Sequence, residues 1–159
     1  MDFFYQGHLN VKTAVFIMIA FLVGGLFPIQ GAINSHLGKS LNNPLQASFI
    51  SFGCAIFLLS FLLLCIRPDF PDFHELSKLK WYYFVGGGVC GVSFVTMFIV
   101  LTPLIGIANA TTAFIAGELI MSALLDHFGA FGLEIHKMSI SRLIGCLFLF
   151  AGIALIQKP

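Results

Sequence analysis

A chain of 159 residues, 58% hydrophobic and 9% charged, cannot cover itself with a water-soluble surface, for which about 25% charged residues is usual. The length allows one domain, and the composition makes that domain an integral, all-α membrane protein. The net charge of +1, with no basic patch, excludes nucleic acid as an expected partner.

A helix needs roughly 20 apolar residues to cross a bilayer core. Five runs qualify in chain order, at approximately 13–33, 45–66, 81–101, 106–126 and 141–157. The first has too long an apolar core for a signal peptide, and no A-x-A-like cleavage site follows it. Pro28 cannot donate to the carbonyl of Gly24 and should kink this first helix. The polar stretch FPIQGAINSHLGK, 27–39, places Gln30 and Asn34 four apart on one face, while Gly31 and Gly38 permit close approach. A kinked, polar half-helix can line a solute cavity. The plainer alternative makes Asn34, Ser35, His36 and Lys39 the water-exposed end of the helix.

Asn42-Asn43-Pro44 reads as a turn with proline at a helix start, and Arg67-Pro68 ends the second helix. In the third run, GGGVCG (86–91) spells G-x-G-x-x-G, but no strand–turn–helix context surrounds it, so it is no dinucleotide site. Gly87 and Gly91 form G-x-x-x-G instead, a close-packing face for membrane helices. Thr102-Pro103 predicts a very short hairpin between the third and fourth helices. Gly129 and Gly132 end the fourth, and Gly145 and Gly152 give the fifth a smaller packing face.

The fourth run carries an acid. Glu118 is the thirteenth of 21 residues from Gly106 to Asp126, close to the middle of the bilayer. A carboxylate there costs roughly 2.5–3.5 kcal/mol on insertion scales. Thr111, Glu118 and Ser122 share one stripe, opposite Ile120 and Leu124, so the stripe should face the bundle interior or a cavity. Desolvation favours the neutral, proton-carrying form of the acid. The alternative is a protonated acid hydrogen-bonded to a neighbouring helix, as a glutamine would be. Asp126 stands at the C-terminal end of the same helix, where the macrodipole disfavours an anion. A cationic partner is therefore expected, from Arg67, Lys80 or Arg142.

Cys54, Cys65, Cys90 and Cys146 lie at irregular spacings inside apolar runs and read as small hydrophobes, not as a disulfide frame or metal site. HELSK (74–78) is not H-E-x-x-H, and neither a G-x-S-x-G nor a phosphate loop is present, which argues against an enzyme. No cofactor is implied.

Several strings together resemble the YdcZ-like family of the drug/metabolite transporter (DMT) superfamily. They are the polar end of the first helix (Pro28, Gln30, Gly31, Asn34, Gly38), PLQASFISFGCA, ATTAFIAGELIMSALLDHFGAFG and ISRLIGCLFLFAGIALI. The resemblance spans nearly the whole chain. It implies an exporter of a bacterial inner membrane, built as one five-helix half of a ten-helix transporter and paired with a second half in inverted orientation. The family pattern usually has glutamine at the position of Glu118.

These readings combine into a half-transporter that works as a dimer. Its substrate would bind near the midplane, between Glu118, Thr111 and Ser122 on one side and Gln30 and Asn34 on the other. The rivals are a channel-like dimer and a structural membrane subunit without transport. Loop charges set the orientation. Lys12, Arg67, Lys78, Lys80, Lys137 and Arg142 fall on one side, against Lys39 and Lys158 on the other, which puts the N-terminus in the cytoplasm and the C-terminus outside. A reporter fused after Pro159 should then be reachable from the external side in most molecules. A majority of cytoplasmic reporters contradicts this orientation, and an even split indicates dual insertion into an antiparallel homodimer.

Overall fold

Hydrocarbon accepts no hydrogen bonds, so an apolar chain must satisfy its backbone within helices. The computed structural model describes residues 2–157, with side chains from Val11 onward. Lys158, one of the loop charges counted above, lies outside the described residues. Within them the chain is helical, with no strand. The helices are α1 (Asp2–Gly24), α2 (Leu26–Ser40), α3 (Pro44–Ile66), a short α4 (Phe73–Ser77), α5 (Trp81–Ile105), α6 (Ile107–Phe128) and α7 (Ile140–Ile156).

Four stretches are long and apolar enough to cross a membrane: Val11–Ser40, Pro44–Ile66, Trp81–Ile105 and Ile107–Phe128. Ile140–Ile156 is a shorter apolar helix. Their outer surfaces are apolar too. Phe21, Phe57 and Phe148 are 81%, 72% and 75% exposed, which water would penalise and acyl chains do not. At the start of α5 Trp81 meets Tyr82 edge-on and Tyr82 meets Tyr83 at a tilt, with Lys80 Nζ 5.8 Å from the Tyr82 ring. Amphipathic rings of this kind suit the membrane–water interface.

The chain forms two compact units, 1–99 and 100–159. In the first, the long initial span is broken at Gly25, three residues before Pro28. Pro28 has no N–H for the Gly24 carbonyl, and the Gly25 N–H is shared between Phe21 O (3.3 Å) and Leu22 O (3.2 Å). The span also continues to Ser40, beyond the expected end near residue 33. Its last turns stay helical because their polar face is covered by protein: Gly31, Asn34, Ser35 and Gly38, at i, i+3, i+4 and i+7, are the buried residues of α2. A Cβ at Gly31 would overlap the Phe98 ring, and one at Gly38 would lie 2.7 Å from the Ile99 side chain. Phe27 packs edge-on against Phe98, centroids 4.8 Å apart, and against Phe94 at 5.1 Å.

Asn42, at φ 51°, reverses the chain after α2. Asn43 then caps α3, its Oδ1 accepting from the N–H groups of Leu45 (3.0 Å) and Gln46 (3.2 Å), with Pro44 at the first helical position. Arg67 closes α3 in the left-handed region, and Pro68 prevents continuation.

The turn before α6 differs from the expectation. Pro103 lies inside α5, and the break comes at Gly106, at φ 82° and ψ 153°. That backbone conformation is essentially restricted to glycine, so the turn forms where a glycine stands, and the missing donor of Pro103 is absorbed in the last turn of α5. In the second unit α6 ends at Gly129 in the left-handed region, its N–H bonded to Leu125 O. A turn of 3-10 helix (Ala130–Gly132) and an irregular segment lead into α7, which Ser139 caps by accepting from the Arg142 N–H at 3.2 Å.

The glycines of the two packing motifs lie in looser surroundings. A Cβ at Gly91 would make ordinary contact with Phe52 at 3.5 Å, and one at Gly87, Gly145 or Gly152 would meet no atom within 4 Å. Gly31→Ala is expected to destabilise the protein. Overpacking against the fully buried Phe98 costs about 1–3 kcal/mol, more than the roughly 1 kcal/mol that alanine contributes to helix propensity. Its melting midpoint in mild detergent should fall by a few degrees, while that of Gly87→Ala holds or rises. Equal midpoints for the two variants would contradict the packing described here.

Candidate functional site

The polar side chains of the first unit meet on the faces that α2, α3 and α5 turn toward one another. Asn34, 5% exposed, donates from Nδ2 to Ser51 Oγ at 3.2 Å, linking α2 to α3. The Gly38–Ala47 contact lies one turn away along both helices, which is the register of an antiparallel pair. Ser48, 1% exposed, lies 3.1 Å from its own helix's Pro44 O and 2.8 Å from Thr96 Oγ1 on α5. Each hydroxyl has one proton. If Ser48 gives its proton to the Pro44 carbonyl, Thr96 donates to Ser48 Oγ, and both contacts are satisfied.

Gln30 and Asn34 adjoin a crevice walled by Phe27, Gly31 and Phe98. Its volume of about 10 Å3 is at the limit for a single water. Gln30 is exposed and Asn34 is engaged with Ser51. The polar face of α2 is therefore closed at Asn34 and open at Gln30 in this conformation.

The second unit is arranged differently. Glu118 is the twelfth of the 22 residues of α6 and is exposed. Among the described residues it has neither a hydrogen bond nor an ion pair. Ser122, one turn on, is exposed and donates to Leu119 O at 3.1 Å. Thr111 is half-buried, and its hydroxyl oxygen is buried without a hydrogen-bond partner. Thr111, Glu118 and Ser122 thus lie on one stripe of one helix, with hydrogen-bonding capacity left over.

Helix α7 runs antiparallel to α6 and is tied to it at both ends. Gln157 Nε2 donates to Thr112 Oγ1 at 3.4 Å, and Arg142 Nη1 lies 3.4 Å from Asp126 Oδ2. Arg142 is therefore the cation that the position of Asp126 called for. The same nitrogen lies 3.4 Å from His136 O, and the His136 N–H donates to Asp126 O at 2.9 Å, so the loop before α7 folds back onto the end of α6. Between α6 and α7 lies a cleft of about 430 Å3, walled by Leu119, Ser122, Cys146 and Leu149 and bounded by the Asp126–Arg142 pair.

The structure brings Gln30 and Asn34 together in the first unit, and aligns Thr111, Glu118 and Ser122 in the second. The Ser48–Thr96 bond and the α6–α7 cleft escaped the sequence reading. Ser48 and Ser51, three apart in an apolar helix, were the available sign of a polar face on α3. All four cysteines are free, and no group of three or more metal-ligating side chains occurs among the described residues.

The profile of a family described as "Putative inner membrane exporter, YdcZ" matches residues 15–155. The chain belongs to that family, whose description is that of an inner membrane exporter. No curated protein and no solved structure matches the chain.

The hydroxyl pair of the first unit generates a prediction of its own. Inter-helical hydrogen bonds in membranes couple by about 0.6 kcal/mol on average and about 1.7 kcal/mol at most. A double-mutant cycle of Ser48→Ala and Thr96→Val should return a coupling in that range. Strict additivity would place the two hydroxyls apart in the folded protein.

Proposed function

We propose that this exporter-family chain is a five-span half-transporter that works as a dimer, with its substrate near the bilayer midplane and proton coupling through Glu118. One observation carries the reading: an acid halfway along an apolar helix is exposed on the monomer. Facing lipid it would cost roughly 2.5–3.5 kcal/mol if ionised. A second half that covers the Thr111–Glu118–Ser122 stripe, and encloses water and substrate against it, removes that cost.

Helix α7 counts as the fifth span. Its 17 residues reach about 25 Å, and a core of about 30 Å adapts to that by local thinning. In this arrangement Gln30 and Asn34 supply neutral hydrogen-bonding groups to the substrate once the face of α2 opens at Asn34. Pro28 and the break at Gly25 give α2 a place to move. Alternating access then consists of one half rocking against the other around the midplane site. Glu118 binds a proton from one side and releases it to the other, or exchanges it for a cationic substrate.

Glu118→Gln is the direct test, because it keeps shape and most hydrogen bonding but cannot ionise. In proteoliposomes the variant should fold, assemble and lose pH-gradient-driven flux, and its substrate binding should no longer depend on pH. Equal flux and equal pH profiles in the two proteins would reduce Glu118 to a polar packing residue. Flux that neither saturates nor follows the gradient would favour a channel-like dimer, and no flux in either protein a structural subunit.

A further inference from the structure

The α6–α7 cleft borders the stripe that carries Glu118 and shares Ser122 with it. Leu119, Ala123, Cys146 and Leu149 make it apolar over most of its length. At about 430 Å3 it falls within the roughly 300–1,000 Å3 of sites that hold small organic molecules. At one end stand Asp126, in the last turn of α6, and Arg142, in the first turn of α7. Each charge is at the unfavourable end of its own helix dipole, an anion at a C-terminus and a cation at an N-terminus. Each relies on a counter-charge, and at 3.4 Å they provide it for each other. The pair is far from sealed: the two side chains remain 47% and 39% exposed, so both charges present an open side.

A ligand with a single charge would match one member of this pair and repel the other. A head that carries both signs meets both. Depth points the same way, because the pair lies at the ends of two apolar helices, where phospholipid headgroups lie, while the cleft runs from there toward the middle of the span. We propose that the α6–α7 cleft is a phospholipid site, with an acyl chain along Leu119, Ala123 and Leu149 and a zwitterionic headgroup whose ammonium faces Asp126 and whose phosphate faces Arg142. The bound lipid fills the gap between two helices that are otherwise tied at their ends.

Two variants separate tail from head. Gly145 lines the cleft, and a Cβ there meets no atom within 4 Å, so Gly145→Leu fills the space without a clash. Asp126→Asn combined with Arg142→Gln removes both charges and keeps neutral hydrogen-bonding groups. Lipid retained on the purified protein is read by native mass spectrometry, after exchange into phosphatidylethanolamine or phosphatidylglycerol. The wild type should retain the zwitterionic lipid over the anionic one by roughly fivefold, the scale of one exposed ion-pair interaction. Gly145→Leu should lose most of the retained lipid, and the double variant should lose the preference between the two. Equal retention of both lipids by the wild type, or undiminished retention by Gly145→Leu, overturns the proposal. Should Gly145→Leu fail to fold, the double variant decides alone, and a preference that persists in it overturns the headgroup assignment.

Discussion

Hydrocarbon offers no partner to a hydrogen-bonding group, and the polar side chains of these helices divide by how they meet that constraint. In the first unit Asn34 and Ser48 meet it internally, while Gln30 stays exposed. Asn34 is matched with Ser51, and Ser48 with Thr96, each across two helices. Such contacts need backbones close together. Gly31 and Gly38 provide the room, because any larger residue would run into Phe98 or Ile99. The small residues and the polar residues of α2 thus serve one purpose, and they lie on one face because the helical period puts positions 31, 34, 35 and 38 there. The apolar side chains go outward, an arrangement that water would reverse and a bilayer favours.

In the second unit the constraint is met at the ends of α6 and left open in its middle. Asp126 has Arg142, and Thr112 has Gln157. Between these ties Glu118 has no hydrogen bond or ion pair among the described residues, and the buried hydroxyl of Thr111, just outside them, has no hydrogen-bond partner. A structural role alone would favour an apolar residue at position 118, since a carboxylate turned toward acyl chains costs roughly 2.5–3.5 kcal/mol. An acid kept there fits a surface that something else completes, whether a second half, a substrate or a proton. Such a surface suits a family described as an inner membrane exporter.

The spans were legible because apolar runs of that length have few other uses, and the polar turn at Asn42-Asn43-Pro44 carried its own cap. The breaks were harder to place. Pro28 signalled one correctly, yet the helix gave way at Gly25, where the carbonyl it leaves unbonded can turn aside. Pro103 signalled another, but in a membrane helix a proline is tolerated, and the chain turned at Gly106. Asp126 could be read for a partner because a helix dipole is a local property. The Ser48–Thr96 bond could not, because its two members are 48 residues apart and each looks like an isolated hydroxyl in an apolar run. The helical period fixed which residues share the Glu118 stripe, but the expected direction, toward the bundle interior or a cavity, depends on what lies beyond the chain, where Glu118 and Ser122 are exposed.

The account stands on the claim that Glu118 faces protein and water rather than lipid. A spin label at Glu118→Cys, with the four native cysteines replaced, reports this in reconstituted membranes through its collision rates with oxygen and with a water-soluble nickel chelate. Oxygen concentrates in acyl chains and the chelate in water, and a label at the exposed Phe57 supplies the lipid-facing reference. The account predicts low oxygen and raised chelate accessibility at position 118 relative to position 57. High oxygen and negligible chelate accessibility at position 118, matching position 57, would contradict it.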